Sequence, residues 1–177
     1  LATLVDDLID LARDRTLTDD EKSDVDLADI ADASVQRARL MWPAVEFELQ
    51  AESSIISGNA SQLTRALNNL ISNAIKYNHE DGWVKVIARR EPSAQVRISV
   101  VDNGRGISLL DQRLIFKAFE RGSAENSQIS GSGLGLSLTQ KFVQLMQGQI
   151  GFESVAGQGS TFWFTLGTGQ LAPQGST

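Results

Sequence analysis

Asn69-Leu70-Ile71-Ser72-Asn73-Ala74-Ile75-Lys76-Tyr77 is the stretch on which the fold turns. Leu63, Leu67, Leu70, Ile71 and Ala74 recur at helical spacing, which predicts a helix from about Ala60 to Asn78 with Asn59 as its N-cap. Asn69, Asn73 and Lys76 then stand at i, i+4 and i+7, in one row on the helix. Asparagine is an indifferent helix former, because its amide competes for nearby backbone groups. Two in a row suggest a task, although alone the row reads equally as a solvated helix face. A hard cation supplies one such task. Magnesium wants oxygen ligands, keeps several waters and takes few protein groups beside a substrate's phosphates.

Outward from this helix, the chain alternates between strand and helix patterns without a regular βαβ order. Phe47 and Leu49 alternate with Glu46, Glu48 and Gln50, as in a strand with one wet face. Ile55-Ile56 is a short strand candidate. Trp83 to Arg90 and Gln95 to Val101 read as strands joined by Glu91-Pro92-Ser93-Ala94. Gly148 to Ser154 and Ser160 to Leu166 form a last hairpin across Ala156-Gly157-Gln158-Gly159. Helices are expected at Leu27 to Ala38, Leu110 to Phe116 and Leu134 to Met146. The mixture favours an α/β two-layer sandwich: an open mixed β-sheet with helices packed on one face. A Rossmann sheet is disfavoured, since no strand runs straight into a Gly-x-Gly-x-x-Gly turn.

Three further stretches carry chemistry. Asp102-Asn103-Gly104-Arg105-Gly106-Ile107 follows an apolar strand. It could be a hairpin turn, but no pairing strand comes after Ile107. A carboxylate desolvated at a strand end is costly unless a donor meets it, and the exocyclic amine of a purine is such a donor. Phe116 and Phe119 stand three apart and either pack in the core or pin a loop. Arg121 at the base of that loop suits a terminal phosphate. The stretch from Gly122 to Ser132 is rich in Gly, Ser, Asn and Gln, as a lid would be. Gly131-Ser132-Gly133-Leu134-Gly135-Leu136 then opens a helix whose bare N–H groups make an anion site. On its own it could also be a flexible turn.

The 177 residues suit one domain with a short appendage. A hydrophobic content of 41% and a charged content of 21% belong to a globular protein. A net charge of −6 argues against a nucleic-acid surface, though one nucleotide can be bound in a local field of the other sign. The absence of cysteine removes disulfides and thiolate metal sites. Leu1, Leu4, Val5, Leu8, Ile9, Leu11 and Ala12 form a narrow stripe, either the tail of a coiled-coil helix or a first helix packed on its own domain. Since the sequence opens on Leu1, it reads as a piece of something longer. The expected organisation is a helix end at 1–15, a polar linker at 16–25, a domain at 26–167 and a frayed tail at 168–177.

In order and composition these stretches resemble the catalytic ATP-binding domain of sensor histidine kinases, from roughly Asp26 to Leu166. The resemblance implies ATP and Mg as ligands, with Asn73 on the metal and Asn69, Lys76 and Tyr77 close to the phosphates and sugar. It implies Asp102 as the adenine acceptor, with Gly104, Gly106 and Ile107 around the base. It places Phe119 and Arg121 at the lid, and Gly131, Gly133, Leu134, Gly135 and Leu136 around the phosphates. A hydroxyl near the adenine falls to Thr161. Implied partners are a phosphoacceptor helical domain, for which residues 1–15 would be the last piece, and a response regulator. The parent would be a membrane-anchored homodimer with this part in the cytosol, and the piece itself a monomer.

Departures sharpen the reading. Hydrolytic relatives of this fold place a glutamate base one turn before the metal asparagine. Here that residue is Asn69, which cannot take a proton at neutral pH. His79 is the only histidine, and it reads as a loop residue, not a phosphorylation site. Asn59 replaces the family's usual aspartate. The expectation is therefore a domain that binds ATP and passes its γ-phosphoryl to a histidine elsewhere, without phosphorylating itself. The rival is a degenerate nucleotide-sensing interaction module of the same fold.

Overall fold

The computed structural model describes residues 5, 8, 9, 12, 21–117 and 133–168. Its elements, in chain order, are β1 (Ser23–Asp26), α1 (Leu27–Met41), β2 (Glu46–Ala51), β3 (Ile55–Gly58), α2 (Ala60–Lys76), β4 (Trp83–Glu91), β5 (Gln95–Asp102), α3 (Gly135–Leu145), β6 (Gln149–Val155) and β7 (Gly159–Gly167). Five strands form one open sheet in the order β2-β4-β5-β7-β6, while β1 and β3 make a separate antiparallel pair. Only β2 and β4 run parallel in the large sheet; β4–β5, β5–β7 and β6–β7 are antiparallel. The mixed, open sheet with helices on one face is the expected two-layer sandwich.

Period-two alternation builds that layer. Along β5, Val96, Ile98, Val100 and Asp102 are buried, while the residues between them are half-buried. Val96, Ile98 and Val100 join Leu63, Leu67, Leu70 and Ile71 of α2 and Leu138, Phe142 and Val143 of α3 in one core. Each fully buried Leu or Phe is worth roughly 1.5–3 kcal/mol relative to exposure, so α2 is held by its stripe more than by its propensity. Its start is set by Asn59, whose side chain accepts from Gln62 N at 3.0 Å. Its last turn is closed by Tyr77 N donating to Asn73 O at 3.1 Å.

Two expectations change. The polar stretch read as a linker at 16–25 runs into β1 from Ser23, and Val25 is buried there. Asp26 locks the corner: it accepts from Ala28 N and Ser54 N, both at 2.9 Å, and from Ser53 Oγ at 2.5 Å. The Ser53 hydroxyl first, then the Ser54 amide, hold its carboxyl below the ordinary carboxylate value. The helix expected over Leu110 to Phe116 shrinks to a 3-10 turn at Asp111–Arg113. Leu110 is 80% exposed, while Ile115 packs against the core and Phe116 against Phe152 from the turn that follows; so short a helical stretch does not persist as an α-helix.

Of the first apolar stripe, Val5, Leu8, Ile9 and Ala12 are described, as helical and exposed residues outside the core. Phe119, Arg121, Gly131, the proposed lid from Gly122 and the tail from 169 lie outside the described residues. Among the described residues no helix is long and apolar enough to cross a membrane.

Candidate functional site

Helix α2 is the spine of the site. Near its middle, Asn69 Nδ2 donates to Gly135 O at 3.2 Å and to Thr139 Oγ1 at 3.3 Å. This ties the start of α3 to the row of amides. At its C-terminal end, Arg105 N donates to Tyr77 O at 3.1 Å. A Cβ on Gly104 would collide with that same Tyr77 carbonyl, so only glycine lets the loop after β5 come this close. Asn73 lies between the two ends, one turn from each. The stretches around Asn69, Asp102 and Gly135 thus converge along two turns of one helix, roughly 12 Å at the usual rise.

The end beside β5 is closely knitted. Asp102 is 8% exposed, and its Oδ1 accepts from Gly104 N at 2.8 Å. Burial pushes the carboxyl above its ordinary value, while the Gly104 and Ser160 amides and the His79 charge pull the other way. Gly106 has φ +64°, and a Cβ there would run into the Val155 carbonyl. Ile107 N donates to Ser154 Oγ at 2.8 Å, and Gln112 Nε2 bridges Ile107 O and Ser154 O at 3.0 and 3.1 Å. Ser154 Oγ also reaches Gly159 O at 3.1 Å and Ser160 Oγ at 2.9 Å. A loop held this way is a preformed floor for a flat, polar-edged ligand.

The other end is open. Asn73 makes no side-chain hydrogen bond among the described residues, and Lys76 is exposed. Asn69 uses only its amide nitrogen, which leaves Oδ1 without a protein donor among the described residues. Among the described residues no side chain caps α3 at Gly135 and none accepts from its first N–H groups, which suits an anion there. Leu134 is buried beneath that start, Leu136 packs half-buried against the core, and Gly133 precedes both. No group of three His, Asp or Glu side chains suited to a metal occurs among the described residues. The donor set here is neutral amide oxygen, which fits a hard cation that arrives with its own phosphates.

Thr161 needs correction. Asp102 pairs with Ser160, and Val101 with Thr161. Because successive side chains alternate faces, Thr161 belongs to the sheet face away from the helices. Ser160, 9% exposed, is the hydroxyl on the Asp102 side. Ser154, Ser160 and Gln112 were not singled out from the sequence. Only the pairing register, which is long-range, reveals them.

With this geometry in hand, the chain can be set beside known proteins. Residues 58–170 match the family described as histidine kinase-, DNA gyrase B-, and HSP90-like ATPase. The signal transduction histidine-protein kinase/phosphatase MprB of Mycolicibacterium paratuberculosis is 34% identical over 99% of this chain. The sensor protein GacS of Pseudomonas syringae pv. syringae is 42% identical over 63% of it. The chain spans 34% of that MprB and 13% of that GacS. Among solved structures, a mycobacterial sensor histidine kinase MprB superposes with a TM-score of 0.73 at 26% identity, covering 82% of this chain and 96% of its own. Full-length ShkA in complex with AMPPNP gives 0.77 at 26%, covering 93% of this chain and 35% of its own. The chain belongs to the histidine kinase-, DNA gyrase B- and HSP90-like ATPase family, as a catalytic ATP-binding domain of the sensor histidine kinase kind.

Proposed function

We propose that this domain binds Mg-ATP along α2 and presents the γ-phosphoryl to a histidine on a helical domain outside the described residues. The convergence of the Asp102 loop and the Gly135 helix start on one helix, with Asn73 between them, carries the reading. Asp102 would accept the adenine amine, which relieves the cost of its burial. Gly104, Gly106 and Ile107 would lie against the base. Asn73 would contribute an oxygen to magnesium, whose charge offsets that of the phosphates. Lys76 and the amides of Gly133 to Leu136 would receive the phosphate chain, with Tyr77 beside the sugar and Arg121 and Phe119 at the lid. Catalysis of this kind is chiefly positioning and charge neutralisation.

Asn69 supports transfer over hydrolysis. Its amide cannot act as a base, and its nitrogen is engaged in holding α3. A full-length parent would pass the phosphoryl on to a response regulator, and it would be a membrane-anchored dimer with this domain in the cytosol. The test supplies a phosphoacceptor helical hairpin in trans with γ-labelled ATP. Label on its histidine is the expected result. Nucleotide binding with no transfer would favour a sensing module, and no binding at all would end the proposal.

A further inference from the structure

Arg105 joins the end of α2 to the β6–β7 turn. Its N–H donates to Tyr77 O at 3.1 Å, at the end of α2, and its carbonyl accepts from Gly157 N at 2.7 Å, in the β6–β7 turn. Its guanidinium lies over the Tyr77 ring, 4.7 Å from the centroid. The side chain is exposed, whereas Tyr77 is half-buried where α2 ends. The two backbone bonds fix where the stem leaves the loop, and the plane of the guanidinium fixes what it can cover. A cation over an aromatic face is attracted by the ring quadrupole, and a guanidinium so stacked keeps its N–H edge in water. An unrestrained tyrosine following the last turn of a helix would sample several χ1 states.

We propose that Arg105 is a positioning residue for the nucleotide: its stacked guanidinium holds the Tyr77 ring in the one orientation that leaves the pocket mouth open to Mg-ATP. This rests on the reading of the site as a nucleotide pocket. It assigns Arg105 no contact with the phosphates. The ligand then binds to a ring already ordered, and the ordering loss does not fall on the binding step.

The test is a double-mutant cycle on this chain, with Mg-ATP titrated calorimetrically and thermal stability measured alongside. Arg105→Ala should raise Kd about 2–5-fold, the size of an exposed cation–π contact. The melting temperature should hardly move, because the backbone bonds of residue 105 remain. Arg105→Lys should recover part of the loss. In a Tyr77→Phe background, which keeps a ring, the effect of Arg105→Ala should persist. In Tyr77→Leu it should vanish. Equal losses in both backgrounds would mean that Arg105 acts on the ligand directly, and would overturn the proposal. So would an unchanged Kd. Asp102→Asn serves as the reference: if it weakens binding while Arg105→Ala does not, only the positioning role falls. If neither does, the pocket reading falls with it.

Discussion

The two ends of the site are built on opposite plans. At the Asp102 end nearly every polar group is spoken for: Gly104 N donates to Asp102 Oδ1, while Ile107 N, Ser154 Oγ, Ser160 Oγ and the Gln112 amide are linked through Ser154 and Ile107. At the Asn73 end, among the described residues, the Asn73 side chain and Asn69 Oδ1 have no protein partner and α3 begins without a side-chain cap. A rigid base site can discriminate by shape and hydrogen bonding, since a wrong base leaves a buried carboxylate unpaired. A phosphate site need not be rigid, because the ligand brings a cation and a charged chain that organise it. Selectivity should therefore reside at one end and most of the salt- and metal-dependence at the other.

Breaking the rigid end at its backbone should have the largest effect. Gly106→Ala places a side chain at φ +64° against the Val155 carbonyl. Strain of this kind costs about 1–3 kcal/mol, and relieving it must move the loop between Asp102 and Ile107. Chemical denaturation should show that loss, and Mg-ATP binding should fall below calorimetric detection. Retained affinity at wild-type stability would mean that the floor is not preformed.

Asp102→Asn separates selectivity from stability. Losing a charged acceptor should weaken ATP about 10–100-fold and remove the preference for adenine over guanine nucleotides. Stability should go the other way. Burial raises the folded carboxyl above its unfolded value, so its contribution to stability is full below about pH 4 and is lost as pH rises through the folded value. The asparagine variant should thus melt higher than the parent at neutral pH, and the gap should close in acid. A variant that melts lower at pH 7 would show that the charge is net stabilising in the folded domain.

At the open end the loss should depend on the metal. Asn73→Ala removes a ligand oxygen but places a better helix former in α2, worth a few tenths of a kcal/mol. Affinity for ATP with magnesium should drop roughly 10–100-fold, as for loss of a bond to a charged group. Binding in excess chelator should be nearly the same as for the parent, and the melting temperature equal or higher. If the loss persists in chelator, Asn73 contacts the nucleotide and not the metal.

How far these features could be read beforehand follows from their range. Helix α2 was legible because Leu63, Leu67, Leu70 and Ile71 repeat within a few turns, and the β4–β5 and β6–β7 hairpins because β-branched runs flank short turns. Strand β1 was not, since Ser23-Asp24-Val25-Asp26 carries a single apolar residue and exists by pairing with β3. Asp102 was visible from its place at a strand end. The Ser154–Gln112 bridge was not, because each residue is ordinary until the fold brings them together across about forty positions.

Ser160 and Thr161 make the finest probe of the comparison, and the expected effect is small. From sequence, the hydroxyl of Gly159-Ser160-Thr161-Phe162 near the base is assigned to Thr161. Pairing of Ser160 with Asp102 puts the two hydroxyls on opposite faces. Ser160→Ala removes the link to Ser154 Oγ, while the Ser160 N–H beside Asp102 stays. ATP affinity should therefore fall only about 2–5-fold, in the range of one neutral hydrogen bond. Thr161→Ala should leave affinity within error, because that side chain stands with Val101 and Trp163 on the face the helices do not cover. If Thr161→Ala were the more damaging, the strand would have slipped by one residue. Such a slip would turn Phe162 and Phe164 out of the core, and the base end could not be the rigid one.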